Sequence, residues 1–212
     1  MKDFPMFTTQ YGVASLTLKE IPYSGNAYVT IQDSKDPKNL LEECTAFCRA
    51  VGAKEVFASG NSCLDVYPMH TSVVLMRCFR EQLDDTDAAL FPVQRETLEQ
   101  FKDIYNNAMK EVPNASHMTD SDAQRLLKAG NGYFVHRDGT LLGIGIAGGE
   151  RIDAIASVIP GCGKDVLLAL NHALSGALVE VEVSTANRRA VQFYEKMGFT
   201  QCSEVSRWYK II

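Results

Sequence analysis

The run Arg151–Thr185 constrains this chain more than any other. RIDAIASVI has the composition of a strand, PGCG is a tight glycine-rich turn, and KDVLLALNHALSG reads as a helix ended by Gly176. LVEVEVST then alternates Val179, Val181 and Val183 against Glu180, Glu182 and Ser184, the period of a strand. Strand, turn, helix and strand in that order lay helices against a sheet, an α/β (α+β) architecture. Glycines between strand and helix allow a sharp turn that leaves N–H groups facing outward. Those groups, the unpaired donors of the first helical turn and the positive end of the helix dipole together suit a phosphate or pyrophosphate. Lys164 adds a cation there and Asp165 opposes it. A glycine pair is a weak signal, so a tight connection that binds nothing stands as the alternative.

The remaining elements follow from periodicity. Residues 13–21 and AYVTIQD (27–33) read as strands. Asp36 or Asn39 caps a helix over 40–53 whose Leu40, Leu41, Cys44, Phe47, Cys48 and Val51 share a face. KEVFASG and TSVVLMRC (71–78) are two more strands. The acidic stretch 81–92, ending in Pro92, marks a boundary between a region 1–85 and a domain 93–212. In the second, ETLEQFKDIYNNAMKEV and SDAQRLLKAG are helices, the latter capped by Asp120 or Ser121 and stopped by Gly130. Asp138-Gly139 joins YFVHR and TLLGIGIA as a hairpin, because both turn positions want positive φ. ANRRAVQFYEKMG is the last helix, and FTQCSEV and SRWYKII close the chain as two strands. The strand–loop–helix–strand order of 27–60 echoes that of 152–185, a suspected degenerate repeat.

Composition narrows the function classes. With 21 Lys+Arg against 26 Asp+Glu over 212 residues the net charge is -5, so neither nucleic acid nor an anionic membrane surface is an expected partner. No apolar run approaches the roughly 18 residues of a membrane span. The start, MKDFPMFTTQYG, lacks the apolar core of a signal peptide. The six cysteines form no CxxC pair, and the four histidines are scattered, so no zinc or other metal site is expected. Reduced, buried cysteines and a cytoplasmic location are the reading. No Walker lysine–Ser/Thr pair and no GxGxxG is present.

The segment NRRAVQFYEKMGF (187–199) places Ala190, Phe193, Tyr194 and Met197 on one helix face with Phe199 ready to pack back, which a plain core helix would also do. An Asn after a strand, then Ala, then Phe-Tyr-x-x-x-Gly-Phe resembles the acyl-CoA N-acyltransferase superfamily, the GNAT family. Asn187, Ala190, Phe193, Tyr194, Gly198 and Phe199 match in spacing, and Gly161 and Gly163 fill the glycine positions of the family's phosphate loop one helix and one strand upstream. That loop's Arg/Gln position is held by Val158. The resemblance covers 93–212 and implies a mixed, mainly antiparallel sheet flanked by helices. The region 1–85 looks like a smaller β-α-β half-domain that lost its glycine turn.

The resemblance implies acetyl-CoA as cosubstrate, bound along Ile155, Ala156, Ser157 and Val158 and over Gly161, Cys162, Gly163, Lys164, Asp165 and Val166, with Asn187 on the pantetheine arm. A primary amine of a small molecule or peptide would attack directly in a ternary complex, and Tyr194 would protonate the leaving thiolate. Asp153 and Glu182 are candidate general bases, with Glu150 and the loop residue His117 behind them; each is also an ordinary exposed polar residue. Arg188 and Arg189 lie at the start of the helix, where phosphates of CoA or solvent would meet them. A non-catalytic CoA-binding or protein-interaction module on the same fold is the competing reading, and a homodimer stays open.

Overall fold

The computed structural model describes residues 5–212, so the first four residues of the N-terminal stretch read above lie outside it. In chain order the elements are β1 (Met6–Thr9), β2 (Gly12–Thr17), α1 (Ile21–Ser24), β3 (Asn26–Ser34), α2 (Pro37–Ala50), β4 (Glu55–Ser59), β5 (Met69–Phe79), β6 (Ala89–Pro92), α3 (Leu98–Met109), α4 (Asp120–Ala129), β7 (Gly132–Arg137), β8 (Thr140–Gly148), β9 (Arg151–Ser157), α5 (Gly163–Asn171), β10 (Leu178–Ser184), α6 (Arg188–Lys196) and β11 (Thr200–Lys210). Among the described residues no helix is long and apolar enough to cross a membrane.

The chain divides into two units, one of 1–73 with 204–212 and one of 74–203. The division therefore falls inside β5 and β11. The sequence places it at 81–92 instead, but that stretch is bound to the second unit: Asp84 pairs with Lys164 at 2.7 Å, Asp85 with His172 at 3.0 Å and Asp87 with Arg137 at 2.6 Å. Ala88 is buried in the same unit's core, and 89–92 form β6 on β7.

In the first unit the strand order is β1-β2-β3-β4-β11. β1, β2 and β3 form an antiparallel meander, β3 and β4 are parallel across α2, and β11 is antiparallel to β4. Asp36 accepts from the Asn39 amide at 3.2 Å and caps α2, which begins at Pro37, three residues before its apolar period. Leu40, Leu41, Cys44 and Cys48 of α2 pack on Ala14, Leu16, Val29, Val56 and Tyr209.

In the second unit the order is β5-β10-β9-β8-β7-β6. The meander β6 to β9 is antiparallel, and β9 and β10 are parallel across α5. Asp138 and Gly139 have φ of 51° and 76°, the left-handed pair that the hairpin demands. α4 is capped by Thr119 rather than by Asp120 or Ser121: the Thr119 hydroxyl accepts from the Asp122 amide (3.2 Å) and the Asp122 carboxylate accepts from the Thr119 amide (3.1 Å). One core lies under α5 and α6; another joins Leu98, Phe101, Met118, Ala123 and Leu126 to Phe134, Ile144 and Ala156. The end of the chain is one strand, not two, since β11 runs unbroken through Ser206.

Helix α5 sits unusually close to β8. A Cβ at Gly143 would lie 2.7 Å from Val166 Cγ2 and inside contact distance of the Ala156 carbonyl oxygen; one at Gly145 would lie 2.7 Å from Leu170 Cδ2. Both helix side chains are fully buried. Gly143→Ala is expected to destabilise the protein by about 1–3 kcal/mol, because a backbone oxygen has to move. Urea denaturation checks this, and an unchanged midpoint would disprove the close approach.

Candidate active site

Strands β9 and β10 part almost as soon as they meet. Their ladder has two rungs, Glu180↔Arg151 and Val181↔Ile152. At that point the β8–β9 register shifts, from Ala147↔Ile152 to Ile146↔Ala154, leaving Asp153 as an extra residue in β9. This is a bulge, which bends its strand and raises the local twist. Beyond it β9 stays paired with β8 through Ser157 while its other edge has no registered partner. Val158 donates to the Leu142 carbonyl at 2.8 Å. Antiparallel alternation then turns the amides of Ile155 and Ser157 away from β8, toward the free edge.

The turn that follows leads into an uncapped helix. Gly161 has φ of 91° with open space where a Cβ would be, and Cys162, the N-cap of α5, makes no side-chain cap. The first intrahelical bond is Val166 N–H to the Cys162 carbonyl at 3.0 Å. The amides of Gly163, Lys164 and Asp165 are therefore the free donors of the first turn, and that of Val166 is committed. Val166 is wholly buried and serves the core. Of the residues around this turn, Ser157, Val158, Gly161 and Lys164 are exposed, Ile155, Cys162, Gly163 and Asp165 half-buried, and Ala156 buried under the α3 side of the sheet. The Lys164 ammonium meets Asp84 at 2.7 Å, and Asp165 accepts from Arg137 at 2.8 Å.

Helix α6 is anchored beside this turn. The Phe193 ring lies 3.6 Å from where a Gly163 Cβ would be. Asn187 uses its side-chain oxygen to cap α6, accepting from the Ala190 amide at 3.2 Å, so only its amide nitrogen is left for a ligand. The other end explains the spacing of the aromatic motif. Gly198 has φ of 88°, its N–H bonds the Glu195 carbonyl, and the Phe199 N–H bonds the Tyr194 carbonyl, each at 3.0 Å. That is a Schellman closure, whose usual apolar contact is here Phe199 on Tyr194, ring centroids 5.4 Å apart. Tyr194 thus packs on the core containing Ile152, Val181 and Val183. Burial pushes its phenol up to about 12.

Asp153 and Glu182 are brought together by a residue the sequence reading passed over. Arg151 binds Asp153 Oδ1 at 2.8 Å and Glu182 Oε1 at 3.0 Å. Nothing in the local sequence marks Arg151, because the contact to Glu182 crosses strands. His117 lies elsewhere, its Nε2 3.4 Å from Asn106, whose side chain also holds the backbone of Met118. Among the described residues no group of three or more His, Cys, Asp and Glu side chains is placed to hold a metal ion.

Neither a protein-family model nor a curated protein matches the sequence. Solved structures do match the fold. A functionally unknown conserved protein from Staphylococcus epidermidis superposes with a TM-score of 0.60 at 10% identity, covering 99% of this chain and 94% of that one. A GCN5-related N-acetyltransferase from Anabaena variabilis gives 0.62 at 12% identity, covering 94% of this chain and 59% of that one. A tandem GNAT protein from the clavulanic acid biosynthesis pathway gives 0.53 at 13%, covering 94% and 78%. The fold is the GNAT fold, a mixed sheet flanked by helices.

The raised phenol makes a pH prediction. Tyr194 ionises near 10 in the unfolded chain but near 12 when folded, so its neutral form is favoured by folding. This contribution is intact below pH 10 and is lost as the pH rises from 10 toward 12. The unfolding free energy of the wild type, from urea denaturation, should fall more steeply than that of Tyr194→Phe over pH 9.5–11.5, by up to about 1.4 kcal/mol per pH unit. Parallel curves would show that the phenol is not held in a dry site.

Proposed function

We propose that the protein is an acetyl-CoA-dependent N-acetyltransferase acting on a primary amine of a small molecule or peptide. The observation that carries this is the parted ladder: β9 offers an unpaired edge from Asp153 onward, and that edge leads directly to the free amides of α5. Acetyl-CoA supplies an acyl group activated as a thioester. The amides of Gly163, Lys164 and Asp165 hold its phosphates, aided by the helix dipole. This donor set suits a diphosphate without an arginine, which fits Val158 standing at the family's Arg/Gln position. Lys164 turns from Asp84 to the phosphates, an exchange of one exposed pair for another. The Ile155 and Ser157 amides take the polar groups of the extended arm, and a β9 amide faces the acyl oxygen.

Asp153 or Glu182 accepts the proton of the incoming ammonium, and Tyr194 holds the proton destined for the departing sulfur. Most of the acceleration comes from holding the two reactants in place. A cytoplasmic location belongs to the same reading and is supported by six free cysteines. So does a GNAT-like origin for residues 1–85: β1-β2-β3-α2-β4 repeats the order and pairing of β7-β8-β9-α5-β10.

Thermal shift with acetyl-CoA and CoA, followed by a thiol-release assay over an amine panel, tests the proposal. Stabilisation with turnover supports it. Stabilisation without thiol release on any amine turns it into a binding module, and no shift at millimolar ligand ends both versions. Tyr194→Phe should lower kcat by roughly 10²-fold with the acetyl-CoA Kd unchanged; an unaltered kcat would remove Tyr194 from the chemistry.

A further inference from the structure

We propose that the acceptor side of this site selects amines with no carboxylate beside the amino group, an inference that rests on the acetyl-transfer reading. Its basis is a charged patch on the face of β5, β10 and β9 that looks away from α5 and α6. Val179, Val181 and Val183 are buried in the core under those helices, so Glu180 and Glu182, at the alternate positions, lie on the opposite face. There Arg77 pairs with Glu180 at 2.6 Å, while Arg151 pairs with Asp153 at 2.8 Å and with Glu182 at 3.0 Å. Two guanidinium groups thus meet three carboxylates, leaving one negative charge in excess.

The patch lies at the opening itself. Arg151 stands on the first of the two rungs before β9 and β10 part, and Asp153 is the bulge residue beyond the second. Its side chains reach solvent, with 49% exposure at Asp153, 43% at Arg151 and 31% at Glu182. The other face of these strands is filled by the α5 and α6 core, so a second reactant comes from the charged side. An ammonium group arriving there meets the excess carboxylate charge. A carboxylate attached one carbon from that nitrogen meets no unengaged guanidinium in the patch and is repelled by the same excess. The arrangement excludes as well as attracts, which is how specificity between close analogues is built.

Amine and amino-acid pairs that differ only in the carboxylate test this: tyramine against tyrosine, tryptamine against tryptophan, agmatine against arginine, each with acetyl-CoA and thiol release as the readout. The wild type should favour the amine by about tenfold or more in kcat/KM. Glu180→Gln frees Arg77 without touching Asp153, Glu182 or Tyr194. It should narrow that ratio about threefold or more, through faster use of the amino acid together with a lower kcat/KM for the amine. Equal or inverted preference in the wild type overturns the proposal, as does a Glu180→Gln ratio unchanged in a protein of wild-type Tm. Those outcomes leave acetyl transfer standing. Absence of thiol release with every compound ends the acetyl-transfer reading and this inference with it.

Discussion

The early end of the β9–β10 ladder is the constraint around which the second unit is arranged. Two neighbouring parallel strands ordinarily continue to pair, since each unmade rung leaves backbone groups to be satisfied elsewhere. Here they are prevented. The extra residue at Asp153 bends β9 at the second rung, and β9 spends its remaining length on β8. Helix α5 stands over that pair because Gly143 and Gly145 present no side chain beneath Val166 and Leu170. The opening is therefore maintained by packing, and the helix whose free amides border it is the one the packing fixes.

The first unit shows what the same topology does without these features. β3 and β4 are also parallel across a helix, yet they pair over five rungs, from Asn26↔Glu55 to Thr30↔Ser59. Its bulge, at Gln32 of β3, comes only beyond the fifth rung, whereas that of β9 follows the second. The start of α2 is closed as well: the Asp36 carboxylate accepts from the Asn39 amide, and Pro37 has no N–H to give. A carboxylate of the chain itself stands where α5 leaves its donors free. The pairing of the strands is shared, while the groups that would greet an anion are not.

What the sequence made legible was local. The Asp138-Gly139 hairpin, the stops at Gly130 and Gly198 and the helix faces of α3 and α6 follow from turn chemistry and period, which a few neighbouring residues settle; of the face expected for α2, Leu40, Leu41, Cys44 and Cys48 are buried while Phe47 and Val51 are exposed. The turn at Gly161 and the aromatic spacing of 193–199 were legible for the same reason, one as a left-handed glycine and the other as a helix closure. The short strands β1 and β6 were not read, because four residues carry no usable period and exist only through their partners. The break of one strand into two near Ser206, and the boundary at 81–92, failed because polar and acidic composition stood in for tertiary contacts that bind those residues. The glycines of β8 carried a signal, two of them spaced two apart on one strand face, that implies a close neighbour. Arg151 carried none, since its meaning lies across strands.

For the proposed reaction, the partial burial of Tyr194 matters in a way its raised value alone would obscure. A phenol held near 12 is a weaker acid than one at 10, and against a thiol near 8–9 in water the proton would have far to climb. The burial that disfavours phenolate also disfavours a thiolate released into the same place, because both are anions deprived of water. Both values rise, and the gap between them changes less than either. In the proposed reaction the Phe193 and Phe199 rings that flank Tyr194 would serve the proton transfer twice, by keeping the proton on the phenol until sulfur needs it and by making an unprotonated sulfur unwelcome. The Schellman closure at Gly198 sets one of those rings against Tyr194, so the spacing read as a family motif doubles as the support of the candidate acid.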